Sequence, residues 1–284
     1  MAKKIIFIAG TSYSGSTLID LILSNSSSAT SVGEIESIFN PVKIHHLKKI
    51  EEIKSDATWG PLLNKGANQL YQNLHDILDV EIIVDSSKNP AWIRYHIDRL
   101  PKDVSYQVVL VFKSLPDLKH SYEKRGRYNW EKIYKRYHNL FFNTISNFER
   151  IEYKDIPLRT DKFWALLKRL DFELDDERLQ FWNQTRTNFF GNNNANIAFS
   201  QVQGNDETPK LEYRSGSTPE NIAFVKSQLE KDSELKRIVT FLNSEESCLS
   251  CPKSVGILNN FRFRLLLKQL RIIRIKIKSI FGEN

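Results

Sequence analysis

The sequence predicts an α/β fold, a three-layer arrangement in which a parallel sheet of roughly five strands is flanked by helices. Three stretches carry this prediction, because each combines a short apolar run, a loop and a segment of helical periodicity; they are residues 4–23, 81–100 and 106–125. Strands that alternate with helices are typical of parallel sheets. With 40% hydrophobic residues, the 284-residue chain can form one substantial core. We therefore expect one domain over residues 1–252, followed by a tail at 253–284.

The first unit opens the chain. Residues 4–9 contain four apolar residues in succession, IIFI, which suit a strand buried on both faces. A glycine loop follows, and Leu and Ile then recur at helical spacing from about Ser16 until the polar stretch SNSSSAT ends the pattern. The unit is therefore predicted as strand, loop and helix.

The two later units repeat this order. Residues 81–85 are predicted as a strand, and Asn89 with Pro90 supplies the cap and first turn of the helix after it. Residues 106–112 are predicted as the next strand, and Pro116 is expected to open the helix that follows.

The second half of the chain has weaker patterns. Residues 128–168 are predicted to be helical and rich in aromatic side chains, most of them in the core and some lining a substrate cleft. Asn, Ser, Gly and Thr are frequent in residues 183–218, which predicts loops, and one helix is expected from about 219 to 242.

The net charge of +7 is concentrated in the tail. Residues 253–284 hold eight basic residues and one acidic residue, so residues 1–252 contain 33 of each and are neutral. A nucleic-acid-binding surface over the whole domain is therefore not expected. Residues 261–281 alternate seven cations with apolar residues and are too charged to span a bilayer. This segment suits the surface of an anionic membrane, or packing and oligomer contact.

Neither a membrane anchor nor a metal site is expected. The apolar run that opens the chain is too short for a signal peptide or a membrane span, which predicts a cytoplasmic protein rather than one anchored in the Golgi. Cys248 and Cys251 lack the second ligand pair that a structural zinc site needs. We therefore interpret them as two thiols in a loop late in the chain.

The glycine loop, AGTSYSGST, is the main functional signal. Gly10 and Gly15 are spaced as in a Walker A phosphate-binding loop, but Ser16 stands where that motif has its lysine. Backbone N–H groups at a helix N-terminus still form an anion cradle, and Ser12, Ser14, Ser16 and Thr17 add hydroxyl donors. The loop is therefore predicted to bind a phosphate-like anion with less positive charge than a triphosphate and its magnesium require.

This loop resembles that of the sulfotransferases that use 3'-phosphoadenosine 5'-phosphosulfate (PAPS), whose donor loop runs roughly G-x-x-[RK]-S-G-[ST]-T. The resemblance implies that Ser14, Gly15, Ser16 and Thr17 bind the 5'-phosphosulfate, and Ser12 is counted with them. It also implies a parallel-sheet fold and no required metal.

A second element, VLVFKSLPDLKHS, is similar to the strand in that family that is followed by R-[DN]-P and a serine eight residues after the arginine. Lys113 and Ser121 keep this spacing, and the resemblance implies that they bind the 3'-phosphate. Lysine replaces arginine here, and it binds phosphate as a point charge rather than as a fork. The alternative interpretation is that Lys113 is an ordinary cation at a strand end and Ser121 an ordinary hydroxyl on a helix surface.

Three more stretches, at 31–38, 84–90 and 151–172, are similar to the bacterial and tyrosylprotein branches of the family, so that the resemblance covers about residues 4–175. It implies that Glu34 is the general base that accepts the acceptor's hydroxyl proton, and that Lys88 stabilises charge between the sulfuryl group and its leaving phosphate. The alternatives are that Glu34 caps a helix near Ile35 and that Lys88 is a solvated lysine at a helix start. For Asp85 and Ser87, a bracing network is favoured over catalysis.

Two positions depart from the family pattern or match it weakly. Tyr13 occupies the loop position where the family usually has Arg or Lys, and it offers one neutral hydrogen bond. Arg214, in LEYRSGS, is a candidate second contact to the 3'-phosphate.

The sequence thus predicts transfer of a sulfuryl group from PAPS to a hydroxyl on a carbohydrate, lipid, small molecule or peptide. An ATP-dependent P-loop kinase is one alternative, which Ser16 and the spacing of Lys113 and Ser121 disfavour. A catalytically weak nucleotide-binding or interaction protein on the same fold is the other, and Tyr13 keeps it open.

Overall fold

The computed structural model describes residues 3–41, 44–172, 213 and 215–244. Its strands are β1 (Lys3–Ala9), β2 (Ala29–Gly33), β3 (Ile82–Lys88), β4 (Val104–Phe112) and β5 (Glu149–Glu152). Its helices are α1 (Ser16–Leu23), α2 (Glu36–Phe39), α3 (Ile44–Lys54), α4 (Trp59–Lys65), α5 (Leu70–Leu78), α6 (Pro90–Ile97), α7 (Leu115–Glu123), α8 (Trp130–Thr144), α9 (Asp161–Arg169), α10 (Pro219–Lys231) and α11 (Ser233–Asn243).

The five strands form one parallel sheet in the order β2-β3-β1-β4-β5, which confirms the predicted fold class. The central strand β1 is fully buried from Ile5 to Ala9, because both faces of the sheet are covered. Ile5 and Phe7 pack in one core with α5 to α8, whereas Ile6 and Ile8 pack in the other with α1 and α9. This alternation along one strand produces the three layers.

Helix starts follow the predicted chemistry. The Asn89 side chain accepts a hydrogen bond from the Ala91 N–H at 3.1 Å, and Pro90 is the first residue of α6. In α7 the helix begins at Leu115, one residue before Pro116, because the Ser114 side chain caps it. Among the described helices, none combines the length and apolarity that crossing a bilayer needs.

Two predictions about the second half were wrong. The stretch 128–168, predicted as helical, contains the edge strand β5, in which only Ile151 of four residues is buried, too short an apolar signal to show alternation. The single helix expected at 219–242 is two helices, because Asp232 is extended and its side chain caps the second helix by accepting from the Leu235 N–H.

Several predicted features lie outside the described residues: most of the loop region 183–218 including Arg214, the two cysteines, and the tail at 253–284.

Candidate functional site

The candidate site lies at the carboxyl edge of the sheet. Ala9, the last residue of β1, pairs with Lys88 in β3 and with Leu110 in β4. Gly33, the last residue of β2, pairs with Asp85 in β3. The segments that leave these four strands therefore start from one edge, where parallel α/β sheets bind their ligands.

The glycine loop joins β1 to α1 in a conformation that its glycines permit. Gly10 and Gly15 have φ angles of 147° and 98°, and Tyr13 has a φ of 69°. A Cβ at Gly10 would lie 2.4 Å from the Ser14 Oγ, so the loop closes tightly on itself. A Cβ at Gly15 would lie 2.0 Å from the ring of Tyr153, which packs directly on the loop.

The loop presents a buried hydroxyl donor that no other described residue satisfies. Ser14 is fully buried, and its Oγ has no hydrogen-bond partner among the described residues. The first N–H groups of a helix lack intrahelical acceptors, and at the start of α1 no side-chain cap accepts from them. An anion held by the loop would supply these acceptors, which makes the loop a fitting cradle for a phosphate or sulfate group.

Glu34 and Lys88 meet across the ends of β2 and β3. The Lys88 ammonium donates a hydrogen bond to the Glu34 carboxylate in an ion pair whose side chains are 18% and 34% exposed. The structure therefore brings together the two residues that the sequence suggested for catalysis. A lysine ammonium has three donors, so Lys88 can hold Glu34 and still donate to an anion.

Tyr137 of α8 connects this pair to the glycine loop. Its hydroxyl accepts from the Gly10 N–H at 2.6 Å and donates to the Lys88 carbonyl at 2.7 Å. Lys88 has a φ of 66°, a left-handed conformation that is uncommon for lysine. Sequence reasoning placed Tyr137 only within the aromatic stretch 128–168, because nothing in a helical aromatic pattern marks which hydroxyl reaches a backbone group.

Asp85 forms a bracing network, as the sequence analysis favoured. Its carboxylate accepts from the Tyr71 hydroxyl, from the Trp92 Nε1–H at 3.1 Å and from the Ser87 N–H at 2.7 Å. The Ser87 Oγ in turn accepts from the Glu36 N–H at 3.0 Å. Burial raises the pKa of Asp85 to about 6 in spite of these hydrogen bonds. Since its oxygens already have protein donors, Asp85 is poorly placed to ligate magnesium.

Lys113 and Ser121 lie beside the loop and contact each other. The Lys113 Nζ is 3.4 Å from the Ser121 Oγ and 4.5 Å from the centre of the Tyr153 ring. Burial is the main cause that lowers the pKa of Lys113. Tyr153 thus contacts both the glycine loop at Gly15 and the strand-end lysine.

Tyr13 packs towards the far end of α7. Its ring makes an edge contact with the Tyr122 ring at 5.1 Å between centroids. The guanidinium carbons of Arg125 and Arg127 lie 4.2 and 5.6 Å from the centre of the Tyr13 ring. Sequence reasoning missed both arginines, because they follow the matched motif in a stretch with no family pattern.

Asp117 of α7 binds the segment on either side of position 214. Its carboxylate accepts from the Tyr213 hydroxyl, from Ser215 Oγ at 2.9 Å and from Ser217 Oγ at 2.6 Å. Burial alone would raise the pKa of Asp117, but the hydrogen bonds outweigh it and lower the pKa to about 2. The described neighbours of Arg214 are therefore attached to the helix that carries Ser121.

In the part of the chain that the structure describes, no three His, Cys, Asp or Glu side chains are grouped as metal ligands. The hydroxyl, backbone N–H and cationic donors of the described site form an arrangement suited to binding anions.

Comparisons with solved structures show the same fold. A sulfotransferase domain from the curacin biosynthetic pathway matches with a TM-score of 0.51 at 17% identity, over 86% of this chain and 98% of that domain. A sulfotransferase domain from the Synechococcus PCC 7002 olefin synthase matches with a TM-score of 0.50 at 12% identity, over 80% of this chain and 94% of that domain. No protein-family model and no curated protein sequence matches the chain.

The chain therefore has the α/β fold of sulfotransferase domains. The likeness inferred from the sequence motifs is confirmed at the level of the fold, over nearly the whole length of both solved domains.

Proposed function

We propose that the protein transfers a sulfuryl group from PAPS to a hydroxyl group on an acceptor. The contact between Lys113 and Ser121, beside the glycine loop, carries the proposal. It provides a second anion site next to the first, as a nucleotide with phosphates at both its 5' and 3' positions requires. The fold shared with solved sulfotransferase domains supports the same class of reaction.

In this proposal the loop holds the 5'-phosphosulfate. Ser12, Ser14, Gly15, Ser16 and Thr17 contribute hydroxyl or backbone donors, and the unpartnered Ser14 Oγ fits an anion acceptor. Lys113 and Ser121 hold the 3'-phosphate, and a buried lysine strengthens this interaction because water screens it less.

Glu34 accepts the proton of the acceptor hydroxyl, and Lys88 donates to the oxygen that becomes charged as the sulfuryl group leaves. PAPS supplies the sulfuryl group, whose bond to the bridging oxygen breaks as the bond to the acceptor oxygen forms. Proton acceptance by a placed carboxylate contributes roughly 10²- to 10⁴-fold in rate. The ion pair keeps both side chains in place before the acceptor arrives.

Calorimetric titration with 3'-phosphoadenosine 5'-phosphate, and separately with ATP and magnesium, tests the donor class. We expect the wild type to bind the first ligand and Lys113→Ala to lose most of that affinity. Lys124→Ala removes an exposed lysine after α7 and serves as the matched control. Preference for ATP would support the kinase alternative and overturn the proposal.

Transfer of radiolabelled sulfuryl from PAPS to a panel of phenols, sugars and tyrosine peptides tests the reaction. Glu34→Gln should lose about 10²-fold or more in turnover while it keeps its affinity for 3'-phosphoadenosine 5'-phosphate. Equal loss of donor affinity and turnover would reject Glu34 as the base. Donor binding without transfer to any acceptor would favour the binding-protein alternative.

The acceptor class, a cytoplasmic location and a membrane or oligomer role for residues 261–281 stay predictions from the sequence.

A further inference from the structure

Two cations that the motifs do not include lie against the loop residue that departs from the family pattern. Arg125 and Arg127 follow α7, and both side chains are exposed. The Arg125 guanidinium lies on the Tyr13 ring and also donates to the Ser121 carbonyl at 2.8 Å. Arg125 therefore contacts both the glycine loop and the residue that pairs with Lys113.

Among the residues that the structure describes, no carboxylate neutralises these two cations. In the described ranges, no carboxylate lies within ion-pair distance of either arginine. Glu123, the nearest carboxylate in the sequence, pairs with Lys119 at 2.6 Å, and Asp117 accepts from Ser114, Tyr213 and Ser217. Burial is the main cause that lowers the pKa of Lys113; Asp117 raises it and Arg125 lowers it, so the two cations lie close enough to repel each other. Like charges held together in this way favour binding of an anion.

We propose that Arg125 is a second cation for the 3'-phosphate of the donor, and that Tyr13 is the positioning residue on which its guanidinium stacks. The inference rests on the proposed donor. Arg125 offers a planar fork of N–H groups, which adds the bidentate contact that Lys113 cannot make as a point charge. Arg127 lies farther from the Tyr13 ring and adds to the positive electrostatic potential at this site from a longer distance.

This assignment gives Tyr13 a role that needs no charge. A cation over a tyrosine face is stabilised by about 0.5 to 2 kcal/mol, which restricts a long flexible side chain to one region. The loop position where the family pattern has a cation would thus hold a neutral ring that orients an arginine from the segment after α7.

The test compares binding of 3'-phosphoadenosine 5'-phosphate with binding of adenosine 5'-phosphate, which lacks the 3'-phosphate, in calorimetric titrations. We expect Arg125→Ala to weaken binding of 3'-phosphoadenosine 5'-phosphate about 10- to 100-fold, as loss of a charge-assisted contact predicts, and binding of adenosine 5'-phosphate less than about threefold. Arg99→Ala is the matched control. Arg99 also lies over a tyrosine, 3.8 Å from the Tyr95 ring centre, and donates to a backbone carbonyl at 2.9 Å, but it follows α6, away from the loop.

Variants of Tyr13 test the positioning role. Tyr13→Phe keeps the ring and should keep the preference for the 3'-phosphate, whereas Tyr13→Leu should lose about fivefold or more of that preference. Circular dichroism of each variant checks the fold.

The outcomes separate this inference from the proposed function. If the wild type does not bind 3'-phosphoadenosine 5'-phosphate, the donor assignment fails and this inference fails with it. If Lys113→Ala weakens that ligand but Arg125→Ala does not, only this inference is overturned. It is also overturned if Arg125→Ala weakens both ligands equally, because the contact would then not be to the 3'-phosphate.

Discussion

Removal of a single hydroxyl group, in Tyr137→Phe, should destabilise the domain and slow the reaction together. The hydroxyl accepts from the Gly10 N–H at 2.6 Å and donates to the Lys88 carbonyl at 2.7 Å, so its loss leaves two partly buried backbone groups without a partner. Each such group costs about 1 to 3 kcal/mol. Because water can reach part of the site, we expect the free energy of unfolding to fall by about 2 to 4 kcal/mol.

The same change should alter the placement of Lys88. Its left-handed φ of 66° is maintained partly by the hydrogen bond to its carbonyl, and release of this bond lets the ammonium leave Glu34. Small displacements of a catalytic group cost about tenfold or more in rate, which the sulfuryl-transfer assay would measure.

Unfolding in guanidinium chloride, followed by tryptophan fluorescence, measures the stability change. Tyr134→Phe is the matched control, because Tyr134 is buried on the same helix and its hydroxyl makes no hydrogen bond within the described residues. Unfolding free energies within about 0.5 kcal/mol for Tyr137→Phe and wild type, at unchanged turnover, would refute the reasoning.

Three further predictions concern the loop and two buried groups. Gly15→Ala places a Cβ 2.0 Å from the Tyr153 ring at a φ of 98°, so calorimetry should show at least about tenfold weaker binding of 3'-phosphoadenosine 5'-phosphate while circular dichroism is unchanged. Hydrogen bonds that outweigh burial lower the pKa of Asp117 to about 2. The contribution of its carboxylate to the free energy of unfolding is therefore complete above about pH 4 and is lost as the pH falls through about 2. Asp117→Asn should lack this acid-induced loss of stability and should be about 2 kcal/mol less stable than the wild type at pH 7. Burial lowers the pKa of His138 to about 4, so at pH 5 its imidazole is neutral in the folded protein, whereas in the unfolded chain it gains a proton below about pH 6.5. Between pH 7 and pH 5 the free energy of unfolding should therefore fall by about 2 kcal/mol in the wild type but not in His138→Asn, as denaturation at the two pH values would measure.

Local sequence patterns were enough to predict the parallel sheet. The buried strand at 4–9 and the cap at Asn89 are short-range signals that the structure confirms, and the spacing of Lys113 and Ser121 corresponds to a contact of 3.4 Å between their side chains. Strand β5 was missed because one buried residue in four carries no period.

The connections between elements could not be predicted from the sequence. The contacts of Tyr137 with Gly10 and of Arg125 with Tyr13 join residues more than 100 positions apart, and no local pattern encodes which aromatic or cation reaches the loop. The resemblance proposed Glu34 and Lys88 separately, and nothing in the sequence indicated that they form an ion pair.

The order of the sheet has a consequence for synthesis of the protein. The central strand is made first, but its neighbours are β3 and β4, and Lys4 pairs with Ile82 in the register of β1 and β3. At about 5 to 20 residues per second, roughly 4 to 16 seconds separate the two partners as they leave the ribosome. During that interval a run of five residues that the finished sheet buries completely has no strand to pair with, which makes it a natural binding segment for chaperones.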